Sequence, residues 1–288
     1  MRGCFGKELH KLSCVNDSFN CKECRLRNEC AYFQIFSPRL SEKEKLHTTK
    51  RFKEKIRPYI MNSLNDKKIY KPGEVIEFEL SLFGNIVKYI PFIIQSWANL
   101  EQEGIGAGDG KFKLKEIWQV NEIEGASKRV YDEFDTKINL EEELKMNYQT
   151  VTQKYNEYKP SIITINYNSP TLLMVDDKKV KKLTFYDLMR NLFRRLSGLS
   201  KLYGDKLSVD FEKMLEKAKD IKMLEDNSEW VEWDRYSNRQ EKYIKMEGLK
   251  GQILYKGNFE DFIPYLKAGE ITSVGKNTVF GLGNYQIL

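Results

Sequence analysis

The stretch Gly248–Ile287, "GLKGQILYKGNFEDFIPYLKAGEITSVGKNTVFGLGNYQI", decides the fold. "LKGQILYKG" reads as a strand, with apolar residues bounded by glycines. "FEDFIPYLKAG" reads as a helix stopped at Gly269. "EITSV" reads as a short strand, and a glycine cluster, Gly275, Gly281 and Gly283, precedes a final strand "GNYQIL". Glycine loses more backbone freedom on folding than any other residue. Ordering three of them in a short loop is therefore expected at a turn, or where a ligand approaches the backbone closely.

Upstream, the grammar extends. "SIITINY" (Ser161–Tyr167) is a strand, and "TFYDLMRNLFRRLSGLSKLYG" is a helix opened by a capping box, Thr184 with Asp187. Leu188, Leu192, Leu196, Leu199 and Leu202 form its apolar stripe. "WVEWDRYS" is a further strand. The order β-α-β-β-α-β is that of a ferredoxin-like domain over residues 161–288. In the first 123 residues, "RGCFGKELHKLSC" is a short amphipathic helix and "GEVIEFELSLFG" an alternating strand. "NIVKYIPFIIQSWANLEQEG" is a helix, and "GIGAGDG" leads to the strand "KFKLKEIWQV". This is the same order without its opening strand. The polar stretch 124–160 reads as a connector. The fold class is α+β, two tandem ferredoxin-like (RRM-like) domains.

The chain has 288 residues, 41% hydrophobic and 31% charged, with a net charge of +6. This composition is that of a soluble globular protein, and the mild basic excess permits a polyanion partner. The most apolar window, Tyr89–Leu100, is too short to span a bilayer and contains Pro91. The N-terminus carries charges where a signal peptide needs an apolar run, which points to the cytoplasm.

All five cysteines fall in the first 30 residues. From Cys14 the spacing is C-x6-C-x2-C-x5-C, through Cys21, Cys24 and Cys30, with Cys4 outside it. A CxxC inside a short charged four-cysteine segment reads as a structural zinc site. Free thiols in a reducing compartment, or an iron–sulfur cluster, are the competing readings.

Both halves place a glycine cluster between the second helix and the last strand. Backbone N–H groups at such a cluster can cradle phosphates, or the glycines can simply turn the chain. Four stretches resemble the CRISPR repeat-processing endoribonucleases of the RAMP superfamily: "RGCFGKELHKL" with the cysteines after it, "GIGAGDGKFKL", "LTFYDLMRNLFRRLSGLSKLYG" with "WDRYSNRQ", and the C-terminal stretch quoted above. The resemblance implies two ferredoxin-like domains that bind CRISPR repeat RNA and cut it at one phosphodiester, with no cofactor or metal for the cut. The alternative class is a RAMP-type subunit of a CRISPR effector complex that holds crRNA without cutting. A third is a zinc-stabilised adaptor that binds protein. Other CRISPR effector subunits are candidate partners; no membrane or nucleotide cofactor is implied. The family carries a strand before its first helix, so either the first domain lacks its central strand or the start lies upstream of Met1.

RNA supplies its own nucleophile, the 2′-OH, so a base, an acid and a cation suffice. Only two histidines exist. His10, on the first helix, is the catalytic candidate, or else a surface residue or an extra ligand one turn before Cys14. His47 lies in a charge run. Tyr236 and Ser237 are the alternatives. For RNA contact, the candidates are Arg235, Asn238, Arg239 and Gln240 of "RYSNRQ", and Gly275, Lys276, Asn277, Thr278, Gly281 and Gly283 of the loop. Arg190 and Arg194, with Lys201, lie on the long helix opposite its leucines. The plainer reading of the arginines is solvated surface.

Overall fold

The computed structural model describes residues 1–15, 20–21, 23–40, 55–65, 67, 69–106, 108–135, 137–141, 143–205, 207–237 and 241–288. His47, Asn238, Arg239 and Gln240 lie outside them. The chain divides into two compact units, residues 1–59 with 82–147 and residues 60–81 with 148–288.

The first unit opens with helix α1 (Arg2–Ser13), followed after the cysteine segment by α2 (Ala31–Phe36). Helix α3 (Ile90–Glu103) follows a 3-10 turn at Gly84–Tyr89, begins with Pro91 in its first turn and ends at Gly104, φ +86°. Proline is tolerated there because the first helical N–H groups have no partner in any case. The core is aromatic: Phe5 stacks on Trp97 at 5.1 Å and meets Phe36 edge-on at 5.3 Å. Gly6 allows α1 and α2 to approach, since a Cβ there would stand 2.6 Å from the Phe36 ring. Strands β3 (Glu116–Asn121) and β4 (Ala126–Asp132) form an antiparallel ribbon. Part of the stretch expected to be connector is thus a paired strand.

A hairpin of β1 (Tyr59–Ser63) and β2 (Phe78–Leu82) forms its own two-stranded sheet. Its residues 60–81 belong to the second unit. Among the described residues the first half runs helix, helix, two strands, helix and two strands, so α2 and β4 are additions to the expected order. Its strands are grouped as two separate ribbons rather than one sheet.

The second unit carries the complete order. Helix α4 (Tyr148–Tyr155), within the expected connector, packs Tyr148 on Tyr265 at 5.4 Å. Strand β5 (Ile162–Thr171) leads through a small ribbon, β6 (Met174–Val175) with β7 (Lys178–Lys179), to α5 (Phe185–Tyr203). The capping box is present as read, with Thr184 accepting from the Asp187 backbone and Asp187 from the Thr184 backbone. A short α6 (Phe211–Ala218) precedes the long hairpin of β8 (Lys222–Ser237) and β9 (Lys242–Lys256). Helix α7 (Ile263–Thr272) runs past Gly269, so "EITSV" is mostly helix, not strand. The reason is that α7 packs on α5 and α4, a tertiary setting that the β-branched residues of "EITSV" do not overrule. Strand β10 (Gln286–Ile287) closes a four-stranded sheet in the order β10-β5-β9-β8, all antiparallel. Numbered within the unit, that is 4-1-3-2, the ferredoxin-like arrangement. Ile163, Ile165, Leu249 and Ile253 of the sheet meet Leu188, Leu192 and Leu266 of the helices in one buried core. Two tyrosines in it are satisfied by donating to carbonyls, Tyr255 to Leu183 at 3.0 Å and Tyr285 to Leu266 at 2.8 Å.

Candidate nucleic-acid interface

The glycine-rich turn lies in the second unit between α7 and β10. Its geometry is set by left-handed residues: Gly275 (φ +89°), Asn277 (φ +63°), Gly281 (φ +76°) and Gly283 (φ +78°). Each of these glycines faces its own chain. A Cβ on Gly283 would stand 1.8 Å from the Val274 carbonyl oxygen, one on Gly275 2.5 Å from that of Leu172, and one on Gly281 2.8 Å from that of Met61. Several N–H groups of the turn are used internally. Lys276 donates to Leu172 at 2.9 Å, Phe280 to Asn277 at 2.9 Å, Gly281 to Thr278 at 3.0 Å and Gly283 to Pro170 at 3.2 Å. Thr278 is buried. The turn therefore presents side chains, chiefly those of exposed Lys276 and Asn277, rather than a row of open amides.

Strand β8 brings Arg235 to this turn. The Arg235 guanidinium lies over the Phe280 ring, 4.2 Å from its centroid, a cation–π contact that fixes the cation beside the loop. Asn277 reaches the Met246 sulfur at 4.0 Å, and Met246 pairs with Trp233 across β8 and β9. Because side chains alternate along a strand, Arg235 shares its face with Trp233 and Ser237, not with Tyr236. Tyr236, half exposed, meets its cross-strand partner Tyr243 edge-on at 5.2 Å. Ser237 is buried at the end of β8. The structure thus separates two residues that the sequence joins.

The helix arginines have other attachments. Arg190 donates to Asp176 at 2.7 Å, which raises its pKa further, while Arg194 is exposed. Sequence reading passed over Arg195. Buried on α5, it donates from Nε to the Thr272 carbonyl at 2.6 Å, and burial lowers its pKa to about 10. The only local signal was an arginine between the stripe positions Leu192 and Leu196.

His10 lies in the first unit. Its ring stacks on Tyr32 of α2 at 4.1 Å, and its Nε2 is 3.3 Å from the Cys21 sulfur. Burial lowers the His10 pKa. Cys14, Cys21, Cys24 and Cys30 line one cavity of about 160 Å³ together with His10, and Cys4 is not among its walls. Burial raises the Cys21 pKa, and the charges of Cys30, Cys14 and Cys24 add to the effect. Among the described residues, no three His, Cys, Asp or Glu side chains are arranged as a ready metal cage, and none of the five cysteines is in a disulfide.

The second unit is thus a ferredoxin-like domain whose β8–β9 hairpin meets a C-terminal glycine-rich turn through Arg235. Residues 165–285 match the family described as CRISPR-associated endoribonuclease Cas6, and residues 1–143 match one described as an N-terminal domain. The match places residues 165–285 of the chain in the Cas6 family.

A product complex of a Thermus thermophilus Cas6 is similar in fold, with a TM-score of 0.55 at 12% identity over 99% of this chain and 91% of that one. A partial Cas6-RT-Cas1–Cas2 complex gives 0.56 at 12% identity over 80% of this chain and 38% of that one. Among curated proteins, none matches the sequence. No helix of the described residues is long and apolar enough to cross a membrane.

Proposed function

We propose that the protein binds CRISPR repeat RNA and cleaves the precursor within the repeat. The 2′-OH attacks the adjacent phosphate, leaving a 2′,3′-cyclic phosphate and a 5′-OH, with no metal ion in the step. The observation that carries this reading is local. The segment matching the Cas6 family is the one that folds to set Arg235 and Phe280 together, with Lys276 in the same turn. Arg235 and Lys276 would neutralise backbone phosphates, and Asn277 would bond phosphate or sugar; such contacts position RNA and leave sequence to be read at the bases. Other CRISPR proteins are its expected partners, as the Cas6-RT-Cas1–Cas2 assembly of a similarly folded protein suggests.

The test is incubation of the full chain with its own genome's repeat RNA in EDTA, with analysis of the product ends. Scission in EDTA with cyclic-phosphate ends is the expected result. Tight binding with no scission under any condition would make the protein a crRNA holder instead. Lys276→Ala should weaken binding modestly and lower the salt dependence by about one phosphate contact. An unchanged salt slope would take the turn out of the interface.

A further inference from the structure

We infer that His10 is a ligand of a tetrahedral metal site, completed by three of the thiols of Cys14, Cys21, Cys24 and Cys30, and not the base for RNA cleavage. Five donors face one cavity, contributed by distinct pieces of local structure. His10 lies in the last turn of α1, and Cys14 caps that helix, its N–H donating to the His10 carbonyl at 2.9 Å. Cys21 and Cys24 are the CxxC pair, and Cys30 is the N-cap of α2. The cavity is framed by two packed helices, so the donors at its edges are held by the aromatic core rather than by the loop alone.

The imidazole is already oriented. Stacking on Tyr32 fixes the ring plane, and Nε2 points at the Cys21 sulfur from 3.3 Å. On a tetrahedral zinc, a nitrogen at about 2.1 Å and a sulfur at about 2.3 Å stand about 3.6 Å apart. The observed pair is within a few tenths of that edge. A hydrogen bond between thiol and imidazole gives the same distance, and metal replaces it by taking up both lone pairs. The remaining thiols surround the cavity without closing on its centre. Closing the set on an ion would couple metal binding to order in the segment. An imidazole bound through Nε2 has no lone pair there with which to accept a proton. The chemistry of the donor set suits zinc, and cobalt(II) serves as its spectroscopic probe.

The experiment uses the full chain purified without chelator. Metal analysis should give one zinc per chain. Exchange with cobalt(II) should give intense visible bands of a tetrahedral site together with thiolate charge-transfer absorption. His10→Ala should lower metal affinity by roughly tenfold or more, within the range seen when the shell around a metal is disturbed, and should move the visible bands. Cys4→Ser should change neither. If His10→Ala does not fold, His10→Cys decides: metal retained with an all-sulfur cobalt spectrum supports the inference. Absence of metal, or cobalt bands that are the same in wild type, His10→Ala and His10→Cys, would overturn it.

Discussion

Gly283 and Gly73 share a backbone conformation but not an environment. Both are in the second unit, with φ +78° and +88°. A Cβ at Gly73 meets nothing within 4 Å, whereas at Gly283 it would be driven into the Val274 carbonyl. Val274 is also tied to Gly283 by the single bond from the Val274 N–H to the Gly283 oxygen at 2.9 Å, which holds that carbonyl close. Gly73→Ala should therefore cost only the left-handed strain, about 1–2 kcal/mol. Gly283→Ala should cost clearly more, and thermal unfolding of the two variants measures the difference. Equal shifts would mean that the turn relaxes freely and that its glycines are kept for another reason. In either case the turn's backbone is explained by packing against its own chain, and any RNA contact falls to the side chains that project from it.

At the scale of elements, the long helix α5 is the best-specified part of the molecule. Its capping box joins Thr184 and Asp187, with the Asp187 N–H donating to the Thr184 hydroxyl at 3.1 Å. Thr184→Ala should cost about 0.5–2 kcal/mol, read from a denaturant midpoint, with the m-value unchanged. A neutral result would show that packing of the leucine stripe alone fixes the helix start. This helix was legible in the sequence because both of its signals, the cap and the stripe, are local. So was the β-α-β-β-α-β order of the second unit. What escaped depends on residues far apart in the chain. "RYSNRQ" read as one candidate site, yet strand alternation sends Arg235 and Tyr236 to opposite faces, and only the fold places Phe280 under Arg235. "EITSV" had strand-like composition, but α7 extends through it because the helix is held by its neighbours. The cysteines were legible as a group. The sequence offers His10, one turn before Cys14, as an extra ligand among other readings; it is the packing of α1 on α2 that sets its ring against Cys21.

The division of the whole molecule does not follow the order of the chain. Residues 60–81 leave the first unit to join the second, and the chain then returns to complete the first with α3, β3 and β4. The hairpin has a definite place in the second unit: Ile60 and Met61 are buried, and the Met61 carbonyl lies against Gly281. Burying two such side chains contributes about 1.5–3 kcal/mol each. The glycine-rich turn is therefore supported from two sides, by Pro170 and Leu172 at the end of β5 and by the hairpin. Replacing residues 60–81 by a short flexible linker tests this directly. Amide exchange in peptides covering 274–288 should speed up, because the turn loses one of its walls, while peptides from α1 and α3 should keep their protection. Repeat-RNA affinity should fall with the turn, since Lys276 and Phe280 depend on it for position. Unchanged protection in 274–288 would show that the hairpin is an appendage and that β5 alone holds the turn in place.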